Sequence, residues 1–310
     1  MKIAYAPREF NAKHLDIIKK TNRIVADYTA QGFSLTLRQV YYQFVSRGWI
    51  ENKDTEYKRL GSIINDARLA GLIDWDAIED RTRYLRKNAA WETPADMVGA
   101  CADQFHVDLW IDQPYRVEVW VEKDALVGVV ESACEPLDVP FFSCRGYTSQ
   151  TELWGAAQRL IKHRKNKQIP LVLHLGDHDP SGIDMSRDIQ DRLYLFMSHH
   201  DVDAPEFKRL ALNMDQVREY SPPPNPAKLT DSRCTKYIEE YGDESWELDA
   251  LEPTMLAALI TQNIKAVRND RKFAAREKLR HQGRKLLGLC SDKWPEVAKF
   301  VQDGTAGGAH

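Results

Sequence analysis

Three carboxylates follow the ends of two apolar segments of the chain. Glu122 ends the segment "RVEVWVE", and Asp177 and Asp179 follow "IPLVLHL" in the stretch "GDHDPSG". If both segments are parallel strands, their carboxyl ends meet at one edge of a sheet, and the carboxylates converge there. Carboxylates so close repel one another unless a cation lies among them, and hard oxygen ligands suit Mg²⁺. The sequence therefore predicts a site for Mg²⁺, or alternatively Mn²⁺, at Glu122, Asp177 and Asp179.

A pair of adjacent tyrosines stands in "SLTLRQVYYQFVSRGWI", and neighbouring residues on a helix point about 100° apart. Tyr41 belongs to the apolar residues that recur at helical intervals, and we therefore expect it in the core. Tyr42 lies four residues after Arg38, and we expect it on the more solvated side. A guanidinium favours the ionised form of a phenol and binds phosphate through paired hydrogen bonds. The pattern predicts Tyr42 as a nucleophile towards phosphorus, assisted by Arg38; surface stacking of the two side chains is the alternative.

The elements that must position these side chains fall into two parts. Residues 1–112 read as mostly helical, and two amphipathic helices joined by "RGWIENKD" indicate a helix-turn-helix of the winged type. From residue 113 strands alternate with helices, which is typical of an α/β fold with a mainly parallel sheet. The predicted strands are "RVEVWVEK", "VPFFSC", "IPLVLHL" and "FKRLALN". We expect a winged-helix domain over residues 1–112 and a Rossmann-like sheet domain over 113–310 with a helical C-terminal extension.

Several basic side chains are candidates for contact with DNA, and an ordinary solvated surface is the alternative in each case. The main candidates are Lys58, Arg59, Arg68 and Lys123, and weaker ones are Arg81, Arg83, Arg86, Lys87, Arg145 and Lys228. One long helix, "IKAVRNDRKFAAREKLRHQGRKLL", carries nine Lys and Arg against two acids between 265 and 285. It either contacts phosphates, packs on the acidic stretch "EEYGDESWELDALE" or is solvated. We expect "SPPPNPAK" to be irregular and the tail "DGTAGGAH" to be disordered.

The composition excludes some classes of protein. Hydrophobic residues make up 43% of the 310 residues, charged ones 29%, and the net charge is −3, so that any basic surface must be local. No segment approaches the roughly 20 apolar residues that cross a membrane, and there is no secretory signal, which predicts a cytoplasmic protein. Five scattered cysteines indicate neither a disulfide framework nor a zinc site. No G-x-x-x-x-G-K-[ST] motif occurs, and no ATP site is predicted in this chain.

Two combinations of motifs resemble known proteins. "VEK" at 121–123 with "LGDHDPSG" at 175–182 resembles the Toprim module, the metal-binding fold of topoisomerases, primases and some nucleases. "LRQVYY" at 37–42 is similar to the motif of the topoisomerase VI A subunit and its meiotic break-forming relative, in which the second of two aromatics is the catalytic tyrosine. "CRGYTSQ" at 144–150 and "WELDAL" at 246–251 are similar to later parts of these proteins. The chain most resembles the short stand-alone Mini-A proteins of phages and plasmids.

The resemblance implies a type IIB topoisomerase-like DNA transesterase that depends on Mg²⁺. Tyr42 would attack a phosphodiester of double-stranded DNA, leave a 5′-phosphotyrosyl link and free a 3′-hydroxyl, and the reverse reaction would reseal the strand. Glu122, Asp177 and Asp179 would be the metal ligands. The resemblance further implies a homodimer in which Tyr42 of one protomer meets the Toprim site of the other. Little sequence precedes the tyrosine motif, which leaves an ATPase B-type partner open.

Two other functions stay open on the sequence. The first is a Toprim nuclease that hydrolyses DNA with metal-activated water, in which Tyr42 only positions a phosphate. The second is a winged-helix DNA-binding protein, or a partner in a defence system, whose Toprim site performs no catalysis. Free 5′-phosphate ends would favour the nuclease, and metal-independent DNA binding without cleavage would favour the binding protein.

Overall fold

The computed structural model describes residues 1–79, 88–227 and 233–306. Five of the weaker candidates for DNA contact lie outside the described residues: Arg81, Arg83, Arg86, Lys87 and Lys228. The chain divides into two compact units, Met1–Arg83 with Arg116–Ala266, and Tyr84–Tyr115 with Val267–His310. The predicted domain boundary between residues 112 and 113 stays a prediction.

A four-stranded parallel sheet forms the centre of the first unit. In its register Val119 lies opposite Phe141, and Leu171 lies opposite Glu206. The expected mixed α/β fold with a parallel sheet is thereby confirmed, and the sheet is consistent with a Rossmann-like domain. The four strands are β1 (Tyr115–Val121), β2 (Phe141–Ser143), β3 (Ile169–Leu175) and β4 (Glu206–Ala211). They lie in the order β2-β1-β3-β4.

Helices cover the sheet, and residues on both faces of β1 are consequently buried. The alternation of Val117 and Val119 with Glu118 and Trp120 predicted the strand, but Glu118 is buried as well. Its carboxylate accepts a hydrogen bond of 2.9 Å from the indole of Trp120 and pairs with Arg159 at 3.1 Å, which compensates its burial. The helices between the strands are α5 (Val127–Cys134), α6 (Gln150–Lys165) and α7 (Pro180–Ser198).

The N-terminal part of the first unit consists of three helices around a common core. The second helix begins at a capping box of Thr36 and Gln39, and the third is followed by Gly71 in the left-handed region with φ of +72°. Residues 1–79 hold two isolated bridges, Ala4 with Ala70 and Leu35 with Ile78, and no longer strand, so the winged form stays a prediction. The helices are α1 (Ala12–Thr29), α2 (Leu37–Ser46) and α3 (Asp54–Leu69).

The remainder of the first unit follows β4. The stretch 221–227 is mostly irregular, as predicted, but contains one two-residue strand that pairs antiparallel with another. None of the described helices is long and apolar enough to cross a membrane. The elements of this part are α8 (Met214–Tyr220), β5 (Asn225–Pro226), α9 (Cys234–Tyr241), β6 (Glu244–Ser245) and α10 (Pro253–Val267).

The second unit consists of α4 (Pro94–Gln104), α11 (Asp270–Asp292) and α12 (Trp294–Ala306), with α11 packed along α4. The single basic helix predicted across this region is wrong, because α10 ends at Val267 and α11 starts anew with Asn269 as its N-cap. The expected disorder of the tail is wrong for residues 303–306, which are helical; residues 307–310 lie outside the described part.

Candidate metal and tyrosine site

Three acidic side chains come together beyond the carboxyl end of β3. One carboxylate oxygen each of Asp177, Glu247 and Asp249 lies within 4.8 Å of the others, and we call these residues the carboxylate triad. Among residues 1–79, 88–227 and 233–306 no second group of three acidic, His or Cys ligands is as close. Oxygen ligands in such a group suit a hard divalent cation.

Backbone pairing brings the two distant members of the triad to Asp177. His178 and Trp246 exchange backbone hydrogen bonds of 2.8 and 2.9 Å, which fixes the segment "WELDAL" beside the loop after β3. The amide of Leu248 then donates a hydrogen bond of 2.7 Å to Asp177 Oδ1. Residues 247 and 249 flank Leu248, and their side chains therefore join the carboxylate of Asp177.

Burial of the site perturbs the ionisation of Asp177. Burial raises the pKa of Asp177 well above its ordinary value, the charge of Lys123 opposes this, and Glu122, Glu247 and Asp249 add to it. Asp249 has a side chain with no exposed surface. Its Oδ2 lies 3.3 Å from Nε of Arg38 but accepts no hydrogen bond. A buried carboxylate oxygen in this state fits a ligand of a cation.

Lys123 places an ammonium group among the three carboxylates. Its Nζ lies 3.0 Å from Asp177 Oδ2 and 2.9 Å from Asp249 Oδ1, and it also pairs with Glu247. Burial lowers the pKa of this lysine, but the three carboxylates raise it more strongly, and the net pKa is well above the ordinary value. Lys123 was predicted as a DNA contact; the structure shows it as the counter-ion of the triad.

Only Asp177 of the three predicted ligands belongs to the triad. Glu122 Oε2 instead accepts a hydrogen bond of 3.0 Å from the amide of Asp177, and burial raises the pKa of Glu122. Asp179 is the N-cap of α7 and accepts a hydrogen bond of 2.6 Å from the amide of Gly182. Both carboxylates accept hydrogen bonds from backbone amides of the loop and the start of α7. The three carboxylates that come together therefore differ from the three that were expected. The roles of Glu122 and Asp179 as metal ligands stay predictions.

Arg209 on β4 holds the loop that carries Asp177. Its guanidinium is buried and donates hydrogen bonds of 3.1, 3.0 and 3.3 Å to the carbonyls of Gly176, Gly182 and Leu212, and another to that of Asp177. Burial lowers the pKa of Arg209, and Glu122 and Asp177 oppose this effect. The rigid fork of an arginine suits several acceptors at once. Arg209 therefore positions Asp177, a role that no sequence motif indicated.

The two tyrosines of α2 differ in what they contact rather than in exposure. Tyr41 is 4% exposed, which confirms its place in the core, and its hydroxyl donates a hydrogen bond of 2.9 Å to Asn52 Oδ1. Tyr42 is also 4% exposed, so the expectation of a more solvated side chain is wrong. The reason is tertiary packing, because α2 lies against the turn Leu248–Ala250, next to the triad.

Arg38 connects Tyr42 to the triad. Its Cζ lies 5.8 Å from the ring centroid of Tyr42, and its side chain pairs with Asp249 at 3.3 Å and Glu247 at 3.5 Å. Burial, followed by Asp249 and Glu247, raises the pKa of Tyr42 above its ordinary value, while Lys123 and Arg38 lower it less. The expected activation of the phenol by Arg38 is thus outweighed here. A cavity of about 160 Å³ opens at this place, lined by Arg38, Tyr41, Tyr42, Asn52, Asp54 and Tyr57.

The other predicted DNA contacts are engaged within the chain. Lys58 pairs with Asp54 at 2.6 Å and Arg59 with Glu56 at 2.5 Å, both on α3, and these exposed pairs leave the side chains near solvent. Arg68 instead donates a hydrogen bond of 3.0 Å to the carbonyl of Ile78, which indicates a structural role. Contact of Lys58, Arg59 and Arg68 with DNA stays a prediction.

No family model, curated protein or solved structure matches this chain. The fold and the site themselves define a mixed α/β protein with a buried carboxylate triad beside an arginine and a tyrosine. Glu247 and Asp249 were not singled out from the sequence as members of the carboxylate triad, although "WELDAL" carries two acids two residues apart, as "GDHD" does.

Proposed function

We propose that the chain is a DNA transesterase of the type IIB topoisomerase kind, with Tyr42 as its nucleophile. The observation that carries the proposal is the double contact of Arg38, with the ring of Tyr42 at 5.8 Å and with Asp249 at 3.3 Å. A tyrosine, an arginine and a carboxylate triad are the groups that such a reaction at phosphorus requires. The motifs "LRQVYY" and "LGDHDPSG" agree with this proposal through their resemblance to the family.

The triad fits Mg²⁺ as the implied cofactor, with Mn²⁺ as the alternative. Asp177, Glu247 and Asp249 offer only hard oxygen ligands, and Asp249 Oδ2 is a buried oxygen that accepts no hydrogen bond. These residues would hold the ion. When bound, the ion would neutralise charge that develops on the phosphate and on the leaving oxygen.

In this proposal Tyr42 is the attacking group and Arg38 is a cation that assists it. The phenol oxygen of Tyr42 forms a bond to phosphorus while the bond from phosphorus to the 3′ oxygen breaks, and a proton from solvent completes the 3′-hydroxyl as the phenol loses its own. A free tyrosine has a pKa of about 10, and burial raises that of Tyr42 further, so the phenolate depends on cations nearby. Arg38 is one of them and also suits the phosphate oxygens.

Double-stranded DNA as substrate and a homodimer as the active form belong to the same proposal, because two tyrosines cut two strands. The pairing of Tyr42 with the Toprim site of a partner subunit stays a prediction. Within one chain, Arg38 already contacts the carboxylates beside its own Tyr42. Whether an ATPase partner takes part stays open.

The test compares wild type with Tyr42→Phe and Tyr41→Phe on supercoiled plasmid with Mg²⁺, stopped with detergent and protease. We expect protein-linked 5′ ends for wild type and Tyr41→Phe, and none for Tyr42→Phe. Tyr41→Phe is the matched control, because it also removes one buried hydroxyl and costs about 1 kcal/mol through its hydrogen bond to Asn52. Cleavage by both variants with free 5′ ends would refute the nucleophilic role.

The burial of Tyr42 favours a second candidate, a Toprim-type nuclease. A phenol with 4% exposure and a raised pKa is a poor nucleophile, whereas a divalent cation held by the triad would activate water without it. This function predicts free 5′-phosphate ends, loss of cleavage in Asp249→Asn and retained cleavage in Tyr42→Phe. The plasmid experiment therefore separates the two.

A further inference from the structure

Lys123 and a divalent cation require the same oxygens. The ammonium nitrogen lies 3.0 Å from Asp177 and 2.9 Å from Asp249 and pairs with Glu247, and these three residues are the carboxylate triad itself. Its side chain is 16% exposed, so that it is enclosed but not sealed. A positive ion among these carboxylates would repel the ammonium group at the same short distance.

The side chain of Lys123 is flexible enough to leave the carboxylates when a cation takes its place. A lysine is a compact charge on a flexible stem of four carbons, unlike the planar fork of an arginine. Lys123 lies where β1 ends, just before the turn Asp124–Leu126, and it follows Glu122 in the loop region of the triad. Arg209, by contrast, is fixed by four backbone carbonyls and has no such freedom.

We propose that Lys123 is an exchangeable counter-ion: it neutralises the triad in the absence of a divalent cation and becomes available to a substrate phosphate when such a cation binds. The phosphate half rests on the proposed function. The competition between Lys123 and the cation does not. By linkage, a divalent cation then raises the affinity for nucleic acid through Lys123, and nucleic acid raises the affinity for the cation by the same factor.

The competition is tested without nucleic acid, by calorimetric titration of Mn²⁺ into the full chain at one fixed pH. We expect Lys123→Met to bind Mn²⁺ about tenfold more tightly than wild type, within the range typical of coupled sites. Lys20→Met is the matched control, because Lys20 pairs with Asp16 on the surface of α1, and we expect no change there. Asp249→Asn should lose the Mn²⁺ signal. Equal or weaker binding by Lys123→Met, persistent binding by Asp249→Asn or no binding by any protein would each overturn the inference.

Folding of the variants is checked by circular dichroism. If Lys123→Met does not fold, Lys123→Gln replaces it, with the same expectation of tighter Mn²⁺ binding. Lys123→Arg keeps the charge and should bind Mn²⁺ no more tightly than wild type. Tighter binding by Lys123→Arg would contradict a competition between charges.

The second half of the proposal is that Lys123 becomes available to a phosphate of the substrate. It is tested by fluorescence anisotropy of a labelled DNA duplex, in a Tyr42→Phe background that prevents covalent attachment. Mg²⁺ should raise the DNA affinity of the Tyr42→Phe protein several-fold more than that of the same protein with Lys123→Met. An equal gain in both proteins would overturn this half. The Mn²⁺ titrations contain no DNA, and their outcome is therefore independent of whether a phosphotyrosyl link ever forms.

Discussion

Gly182 is the position at which one added methyl group should disturb the carboxylate triad. A Cβ at this position would stand 2.3 Å from the carbonyl oxygen of Asp177 and 3.1 Å from Glu122 Oε2. The first of these atoms belongs to the backbone and accepts a hydrogen bond from Arg209, so it does not move freely. Gly182→Ala must therefore push α7 and the loop of Asp177 apart.

The magnitude follows from two opposing effects. Alanine in place of glycine within a helix ordinarily stabilises a protein by about 0.5–1 kcal/mol. Forcing an extra carbon into a packed site costs about 1–3 kcal/mol, and a contact of 2.3 Å with backbone belongs at the upper end of that range. We expect a net loss of about 2 kcal/mol in the free energy of unfolding for Gly182→Ala. The Mn²⁺ affinity should fall with it, because Asp177 moves.

Gly155→Ala is the matched control within the same unit. Gly155 lies inside α6, and a Cβ there meets no atom within 4 Å. This variant should gain about 0.5–1 kcal/mol and keep the Mn²⁺ affinity of wild type. Urea unfolding and Mn²⁺ calorimetry measure both quantities. If Gly182→Ala proved as stable as Gly155→Ala and bound Mn²⁺ like wild type, the close packing of α7 against the Asp177 loop would be refuted.

Two further predictions concern buried groups near the site. Burial, and then the charge of Arg209, lowers the pKa of His174 to about 3. As the pH falls below about 6.5, this histidine therefore takes up a proton in the unfolded chain but not in the folded one, and the folded state loses stability. Between pH 7 and pH 5 the wild type should lose about 2 kcal/mol more in urea unfolding than His174→Gln, which keeps the loss caused by His178, another histidine whose pKa burial lowers to about 4. Equal pH profiles would contradict a neutral buried histidine. Arg209→Met should cost about 3–5 kcal/mol and weaken Mn²⁺ binding, because several buried carbonyls lose their donor. Arg187→Met, which removes an exposed arginine that pairs with Asp184, should cost under about 1 kcal/mol, and similar losses for the two variants would show that Arg209 does not hold the loop.

Local patterns in the sequence were sufficient for the elements of the sheet. Period-two alternation and apolar runs predicted the four strands, and their alternation with helices predicted the parallel order, because such connections place strands side by side in one direction. The same reasoning put Asp177 at the carboxyl end of β3 and Tyr41 in the core. The type of each element and the apolar face of a helix depend mainly on residues that are close together in the sequence.

The composition of the site needed the tertiary structure. Glu247 and Asp249 reach Asp177 across about 70 residues of chain only because His178 and Trp246 pair their backbones. Tyr42 was expected near solvent from the helical pattern of α2, but the turn Leu248–Ala250 covers it. Periodicity reports which face of a helix is apolar and not which polar face another element will bury. The sequence by itself determined the parallel sheet and the position of one triad carboxylate, Asp177, whereas long-range packing decided which charges surround Tyr42.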